Sequence, residues 1–367
     1  MATAPDPLDD RVGRLRARIA ADGLDALIIS GPASVRWLTG YGGSNGLCIV
    51  TATDQRFLTD FRYGTGVAHL RDSWDVEIVD QNLVGSIGEQ LPAMLGDASR
   101  VGFEAARLTY AHWRVLDEAV RGAGRELVPT TSLAEDVRAV KSSAEIALIR
   151  AGAEINDSVY EWLASEGLDG TSEIAWVAAI ADKMRELGAQ TTAFPALVAS
   201  GANGAAPHAV PGPDPIARNT LVVLDIGSLV GGYNSDCTRT FATGHTDEAM
   251  REVYEVVLRA QEAALALVGP GVACIEVHET ARRVIADAGY GEYFNHGTGH
   301  GVGVEIHEEP RFRSGLGGSL EAGNVVTVEP GVYLPERFGV RIEDLVAVTE
   351  DGHEVLSRFP KSLLDVG

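Results

Sequence analysis

The spacing of hydrophobic and polar positions changes several times along the chain, and each change predicts an element. LDDRVGRLRARIAADG, from residue 8, places its apolar residues three and four apart, the period of an amphipathic helix. ALIIS is an apolar run of strand length, and GLCIVTATDQRFLTD reads as two strands around a turn. Helical stretches then interleave with VEIV, VGF and ELV as far as about Pro129. Alternation of this kind predicts an α/β domain on a central sheet.

Beyond TTSLAEDVRAVKS the pattern differs. Ser142 and Glu145 stand at capping-box spacing, so a long helix is predicted to open there, with a second near Ser172. A loop follows, SGANGAAPHAVPGPDP, then a strand ending at Asp225 and a return strand SDCTRTFATG. Two more helices fill Asp247 to about Ala288, and a glycine-rich tract leads into final strands. The domain boundary is expected between residues 131 and 141, giving domains 1–135 and 136–367. No short repeat of the solenoid kind is present, but LVVLDIG with SDCTRTF has a counterpart in VVTVEPGVY with VRIEDLVAV. Each half offers an apolar strand ending in an acid, a turn, and a return strand carrying another acid.

Bulk properties narrow the function. At 367 residues the chain exceeds the roughly 250–300 at which one core stops growing, so two domains are expected. Thirty Lys and Arg against 52 Asp and Glu leave a net charge of -22, which repels nucleic acid and anionic lipid. Cys48, Cys237 and Cys274 are far apart and odd in number, unlike a disulfide framework or zinc knuckle. No run approaches 18 apolar residues and the first twenty have no signal-peptide pattern, so a soluble, cytoplasmic protein is expected.

The chemistry begins with the acids. A carboxylate at the end of a buried strand costs roughly several kcal/mol unless it is paired or bound to a metal. Asp225, Asp236, Glu329 and Glu343 all stand at such positions, and the candidate counter-charges are Arg239 and Arg341, too few for four. A single acid here would read as a structural ion pair. Four in a symmetric arrangement read as a missing cation. HGTGHGVGVEIHEEP adds His296, His300 and His307. A four-residue spacing suits one helix face, but Gly297, Gly299, Gly301 and Gly303 predict a loop where backbone approaches something closely. One imidazole with four carboxylates is a hard ligand set suited to Mn(II), Co(II) or Fe(II), with Zn(II) as an alternative. Bridging carboxylates let such a set hold two ions about 3.5–4 Å apart, the spacing of hydrolytic two-metal sites that activate water near neutral pH.

The segments LDIG, SDCTRTF, TGHGVG, VEPGVY and RIED, in this order, resemble the metal-binding signature of the proline-specific metallopeptidases, aminopeptidase P and Xaa-Pro dipeptidase. These belong to the pita-bread superfamily with methionine aminopeptidase and creatinase. The resemblance covers roughly residues 140–360 and, more loosely, VRWLTGYGGSNG in the N-terminal domain. It implies an α/β N-terminal domain followed by an α+β pita-bread catalytic domain. It also implies two divalent ions per subunit, Mn(II) foremost, on Asp225, Asp236, His300, Glu329 and Glu343. Asp236 and Glu343 would bridge, and Glu329 would stand beside the nucleophile. Creatinase keeps the fold without the metals, and all five ligand types are present here.

By the same resemblance His208, in APHAV, matches the substrate-side histidine, and His307 the one that contacts substrate and stabilises the tetrahedral intermediate. His296 either orients a ligand or supports the loop. Tyr333 and Arg341 either contact substrate or are a packed ring and an ion pair, the ion pair being the expectation for Arg341. Arg311 is expected to anchor a substrate carboxylate, against the reading of a solvated loop arginine. RSGLGGSL lacks the lysine of a phosphate loop and is expected to be a flexible loop near the site. The implied substrates are Xaa-Pro dipeptides or peptides with proline second, hydrolysed by a homodimer. Dipeptidase and aminopeptidase P stay open, with the short N-terminal domain and HEEPRF favouring the first. The rivals are a methionine-type aminopeptidase, an inactive binding or chaperone module that should have lost a ligand, and an acidic scaffold whose four acids should be exposed.

Overall fold

The computed structural model describes residues 9–315 and 317–367, and the chain divides into compact units at 138/139. Leu8 and Leu316, parts of the expected first helix and of RSGLGGSL, lie outside the described residues. The first helix is Arg11–Ala21, and its N-cap Asp10 accepts the Gly13 amide at 2.9 Å.

The first unit carries a six-stranded mixed sheet in the order Asp75–Val79, Gln55–Asp60, Gly46–Thr51, Ala26–Ile29, Arg100–Glu104, Glu126–Thr130. Ala26–Ile29 is buried throughout, as its unbroken apolar run requires, and pairs in parallel with Arg100–Glu104.

In the second unit the capping box forms as spaced: Ser142 caps Glu145, whose carboxylate takes the Ser142 amide at 2.9 Å, and the helix runs Ser143–Glu166. Glu173–Glu186 follows, capped by Ser172. These two helices pack on Leu221–Ile226 and Cys237–Ala242 through Val159, Leu163, Ile180, Leu224 and Phe241. The second pair, Glu248–Leu265 and Cys274–Asp287, packs on Val325–Val328 and Asp344–Val348 through Val257, Val277, Val328 and Val346. Each apolar strand is therefore one half of an antiparallel pair roofed by helices, and the acids fall where the pairs end. No helix among the described residues is long and apolar enough to cross a membrane.

Two expectations change. Glu343 is not inside a return strand: it occupies the break between Phe338–Arg341, hairpinned to Gly331–Leu334, and Asp344–Val348. The glycine-rich histidine tract is not a loop throughout. Gly299–Gly301 is a strand between Glu308–Phe312 and Val325–Val328, irregular between His300 and Gly301. The glycines are there because a Cβ on Gly299 would strike the Thr327 carbonyl and one on Gly301 the Glu309 carbonyl. Low strand propensity hid a close-packed strand. Gly299→Ala is expected to cost about 3 kcal/mol or more, since backbone rather than a flexible side chain must yield; an unchanged urea midpoint would refute this.

Candidate metal centre

Asp225 is the fifth residue of Leu221–Ile226 and faces Thr238 in the ladder, while Asp236 directly precedes the return strand. Glu329 directly follows Val325–Val328, and Glu343 reaches the same place from the second ladder, its amide donating to the Thr238 carbonyl at 3.1 Å. The oxygens of Asp225, Asp236 and Glu343 lie within 4.8 Å of one another.

One oxygen on each of these three acids is buried with no hydrogen-bond donor: Oδ1 of Asp225, Oδ1 of Asp236 and Oε1 of Glu343. The opposite oxygens are held where a partner exists. Arg341 Nη2 donates to Asp225 Oδ2 at 2.6 Å, and Thr238 Oγ1 to Glu343 Oε2 at 2.7 Å. Burial, and then the charges of Glu343 and Asp225, push the Asp236 carboxyl well above the usual carboxylate range. Burial and the charge of Glu329 do the same to Glu343. Three carboxylates turned on one point without a donor fit a divalent cation. The acidic-scaffold rival, which requires exposed acids, does not describe Asp236 or Glu343, 5% and 1% exposed.

His300 stands beside this cluster, its Nε2 3.2 Å from Glu329 Oε1 and 3.7 Å from Asp236 Oδ2. Burial works against a charge on either partner. Their hydrogen bond and mutual attraction prevail, lowering the Glu329 carboxyl and raising the imidazole. Thr327 holds the pair from both ends, its Oγ1 3.2 Å from Glu329 Oε1 and accepting the His300 amide at 3.0 Å.

A cavity of about 450 Å³ opens over these groups. Asp225, Asp236, His300 and Glu329 line it, as do His208, His296, His307, Arg311, Tyr333 and Arg341, whereas Glu343 is not on its wall. His307 sets its ring edge-on to His300 at 4.4 Å. His296 hydrogen-bonds to a carbonyl and a hydroxyl. Its Nδ1 meets the Gly297 carbonyl at 2.7 Å and its Nε2 the Tyr333 hydroxyl at 3.1 Å, and Arg341 Nη1 donates to that hydroxyl at 2.9 Å. With Nδ1 as donor, the hydroxyl proton goes to Nε2, so a chain of hydrogen bonds runs from His296 through Tyr333 and Arg341 to Asp225. Arg311 reaches Glu309 at 3.4 Å with its side chain 38% exposed.

Arg239 is not a counter-charge to the four acids. Strand alternation turns it to the opposite face from Thr238 and Thr240, where it pairs with Asp344 at 2.9 Å. Three contributors carry no chemical signal of their own in the sequence, though Thr238 lies within SDCTRTF and Thr327 within VVTVEPGVY. Phe194 supplies an apolar wall of the cavity, and Thr238 and Thr327 supply hydroxyls to Glu343 and Glu329. Thr238 at least stands opposite Asp225 in its ladder, whereas Thr327 stands opposite Leu345 and is marked only by lying two residues before Glu329.

Comparison with known proteins gives the family. Residues 147–350 match the model of metallopeptidase family M24, and residues 11–140 match the creatinase/prolidase N-terminal domain. The Xaa-Pro dipeptidase of Pyrococcus furiosus is 32% identical over 359 residues, covering 97% of this chain and 100% of that protein. The solved Xaa-Pro dipeptidase from Bacillus anthracis is 35% identical with a TM-score of 0.90, covering 98% of this chain and 99% of that one. The X-Pro aminopeptidase from Thermotoga maritima is 31% identical with a TM-score of 0.87, covering 97% and 99%. The chain therefore belongs to metallopeptidase family M24, with a creatinase/prolidase N-terminal domain ahead of its pita-bread catalytic domain.

Proposed function

We propose that this metallopeptidase is an exopeptidase that hydrolyses the bond between an N-terminal residue and proline. The observation that carries the reading is the trio of buried, donorless oxygens on Asp225, Asp236 and Glu343, with His300 and Glu329 beside them. These five residues would hold two divalent ions, Mn(II) in the first instance. When bound, the ions supply a Lewis acid for the scissile carbonyl and an activated water near neutral pH.

The protein's own groups do the rest. Glu329 takes a proton from the attacking water and hands it to the proline nitrogen, which leaves as an amine. His307, on the cavity wall, donates to the oxygen that gains charge in the tetrahedral state. His208 contacts the substrate from the loop that follows Ser200. Arg311 meets the free carboxylate of a dipeptide, for which a guanidinium fork is the matching donor. Arg341, with Tyr333 and His296 behind it, fixes the orientation of Asp225.

Xaa-Pro specificity comes from the relatives, which bear both dipeptidase and aminopeptidase names. Arg311 favours the dipeptidase. We read the enzyme as a cytoplasmic homodimer; its three cysteines are buried and free, in keeping with a reducing compartment. The test is product analysis of the Mn(II)-loaded protein given Ala-Pro and Ala-Pro-Ala. Alanine released from the dipeptide alone makes it a dipeptidase, and alanine released from the tripeptide makes it an aminopeptidase P. If neither is cut, the Xaa-Pro reading falls.

A further inference from the structure

His208 sits on an exposed loop, yet a substrate-contacting histidine needs a fixed place. The loop, residues 201–211, leaves the strand Leu197–Ser200 as a short helix Gly201–Ala205 and returns at Gly212. Where it leaves and returns, both ends meet the same side chain. Glu173, in the first turn of Glu173–Glu186, is 4% exposed and accepts four hydrogen bonds. Its Oε1 takes the Ser200 amide at 2.6 Å and the Ser200 hydroxyl at 2.8 Å. Its Oε2 takes Asn203 Nδ2 at 2.7 Å and the Gly212 amide at 2.7 Å.

We propose that Glu173 is a positioning residue for His208, a buried carboxylate that clamps both ends of the loop and so fixes the histidine over the cavity. The inference rests on the reading of His208 as a substrate contact. All four partners are neutral donors. Only an acceptor with two equivalent oxygens satisfies them. Asn203 extends the clamp, passing a second bond to the Val210 carbonyl at 3.1 Å. Between the clamped ends the loop is tied to the site itself, since Arg341 Nη1 donates to the Pro207 carbonyl at 3.3 Å. Glutamine at 173 would keep the shape but turn an NH2 group toward two donors, opening one end of the loop.

The experiment compares Glu173→Gln in the wild-type and His208→Ala backgrounds, using Mn(II)-loaded protein and Ala-Pro. Expected is a fall in kcat/KM of roughly 10–100-fold in the first background and under about twofold in the second, because a displaced group costs rate only while it is present. Asn203→Ala, which leaves the carboxylate three of its donors, should show a smaller loss that also vanishes with His208→Ala. It keeps the test open should the glutamine variant fail to fold. Amide exchange across 201–212 should quicken in either variant. Equal losses in both backgrounds, or unchanged exchange, would overturn the clamp. If His208→Ala alone costs nothing, His208 is not a substrate contact and the positioning role falls with it. If wild-type protein cuts no Xaa-Pro bond, the functional reading fails and exchange alone decides the clamp.

Discussion

Asp236→Asn is expected to abolish activity while making the metal-free protein harder to unfold. The first effect follows from removing one of the three acids placed to hold a cation, a loss of roughly 10³-fold or more in kcat. The second follows from the burial of the acids and then from their mutual repulsion. Asp236 and Glu343 have folded-state carboxyls held well above their ordinary values by burial, and then by the charge of Glu343 on Asp236 and of Glu329 on Glu343. The folded state therefore binds protons more readily than the unfolded one, so metal-free stability falls as pH rises from the ordinary carboxylate range through the raised values. Neutral asparagine removes part of that slope and, at neutral pH, part of the penalty. Mn(II) inverts the order. At about 100 times its dissociation constant a native-state ligand stabilises by about 2.7 kcal/mol, a gain the variant should largely lose. Thermal scans with chelator and with Mn(II) should cross: variant above wild type in the first, below it in the second. A variant less stable in both would mean that Asp236 makes a structural hydrogen bond and no cation is awaited.

Arg239→Met should leave the chemistry and weaken the fold, by about 3–5 kcal/mol, the usual result of stripping one partner from a buried ion pair. Arg239 and Asp344 are both about 2% exposed at the side chain, and Lys361 reaches the other Asp344 oxygen at 2.7 Å. The guanidinium also donates to the Phe359 carbonyl at 2.7 Å, to the Thr238 carbonyl at 3.0 Å, and to the carbonyl of Glu343. It thus joins the first hairpin, the second ladder and the C-terminal segment. Methionine matches the volume and leaves those acceptors bare. The urea midpoint should drop sharply, whereas kcat of the folded, Mn(II)-saturated enzyme stays near wild type. An unchanged midpoint would refute the pairing.

These two residues also show what the sequence discloses. Asp236 is conspicuous because it opens the return strand of an apolar run that itself ends in an acid, Asp225, and such a pairing of acids can be read without a structure. Arg239 lies only three residues away and carries the right charge, but its partner depends on which face of a strand it takes. Alternation sends it to Asp344, an acid overlooked because it sits next to Glu343 in RIED. The helix starts at Ser142 and Ser172 were legible because a cap is a local event. The strand Gly299–Gly301 was not, because its reason is the neighbouring backbone, brought close by folding. Phe194, Thr238 and Glu173 belong to the same class: each is ordinary in sequence and acquires its part from distant residues.

The close packing around His300 bears on how such a protein can diversify. Gly299 and Gly301 admit no side chain, and Thr327 is occupied at both the histidine and the acid, so substitutions next to His300 and Glu329 are removed with the fold itself. Arg311 and Arg313, at the cavity edge, are under no such restraint: the first is partly exposed and the second lies on the surface. Inherited change is thereby steered outward. A lineage built on this fold can vary the margin of its cavity while the packing around His300 stays as it was.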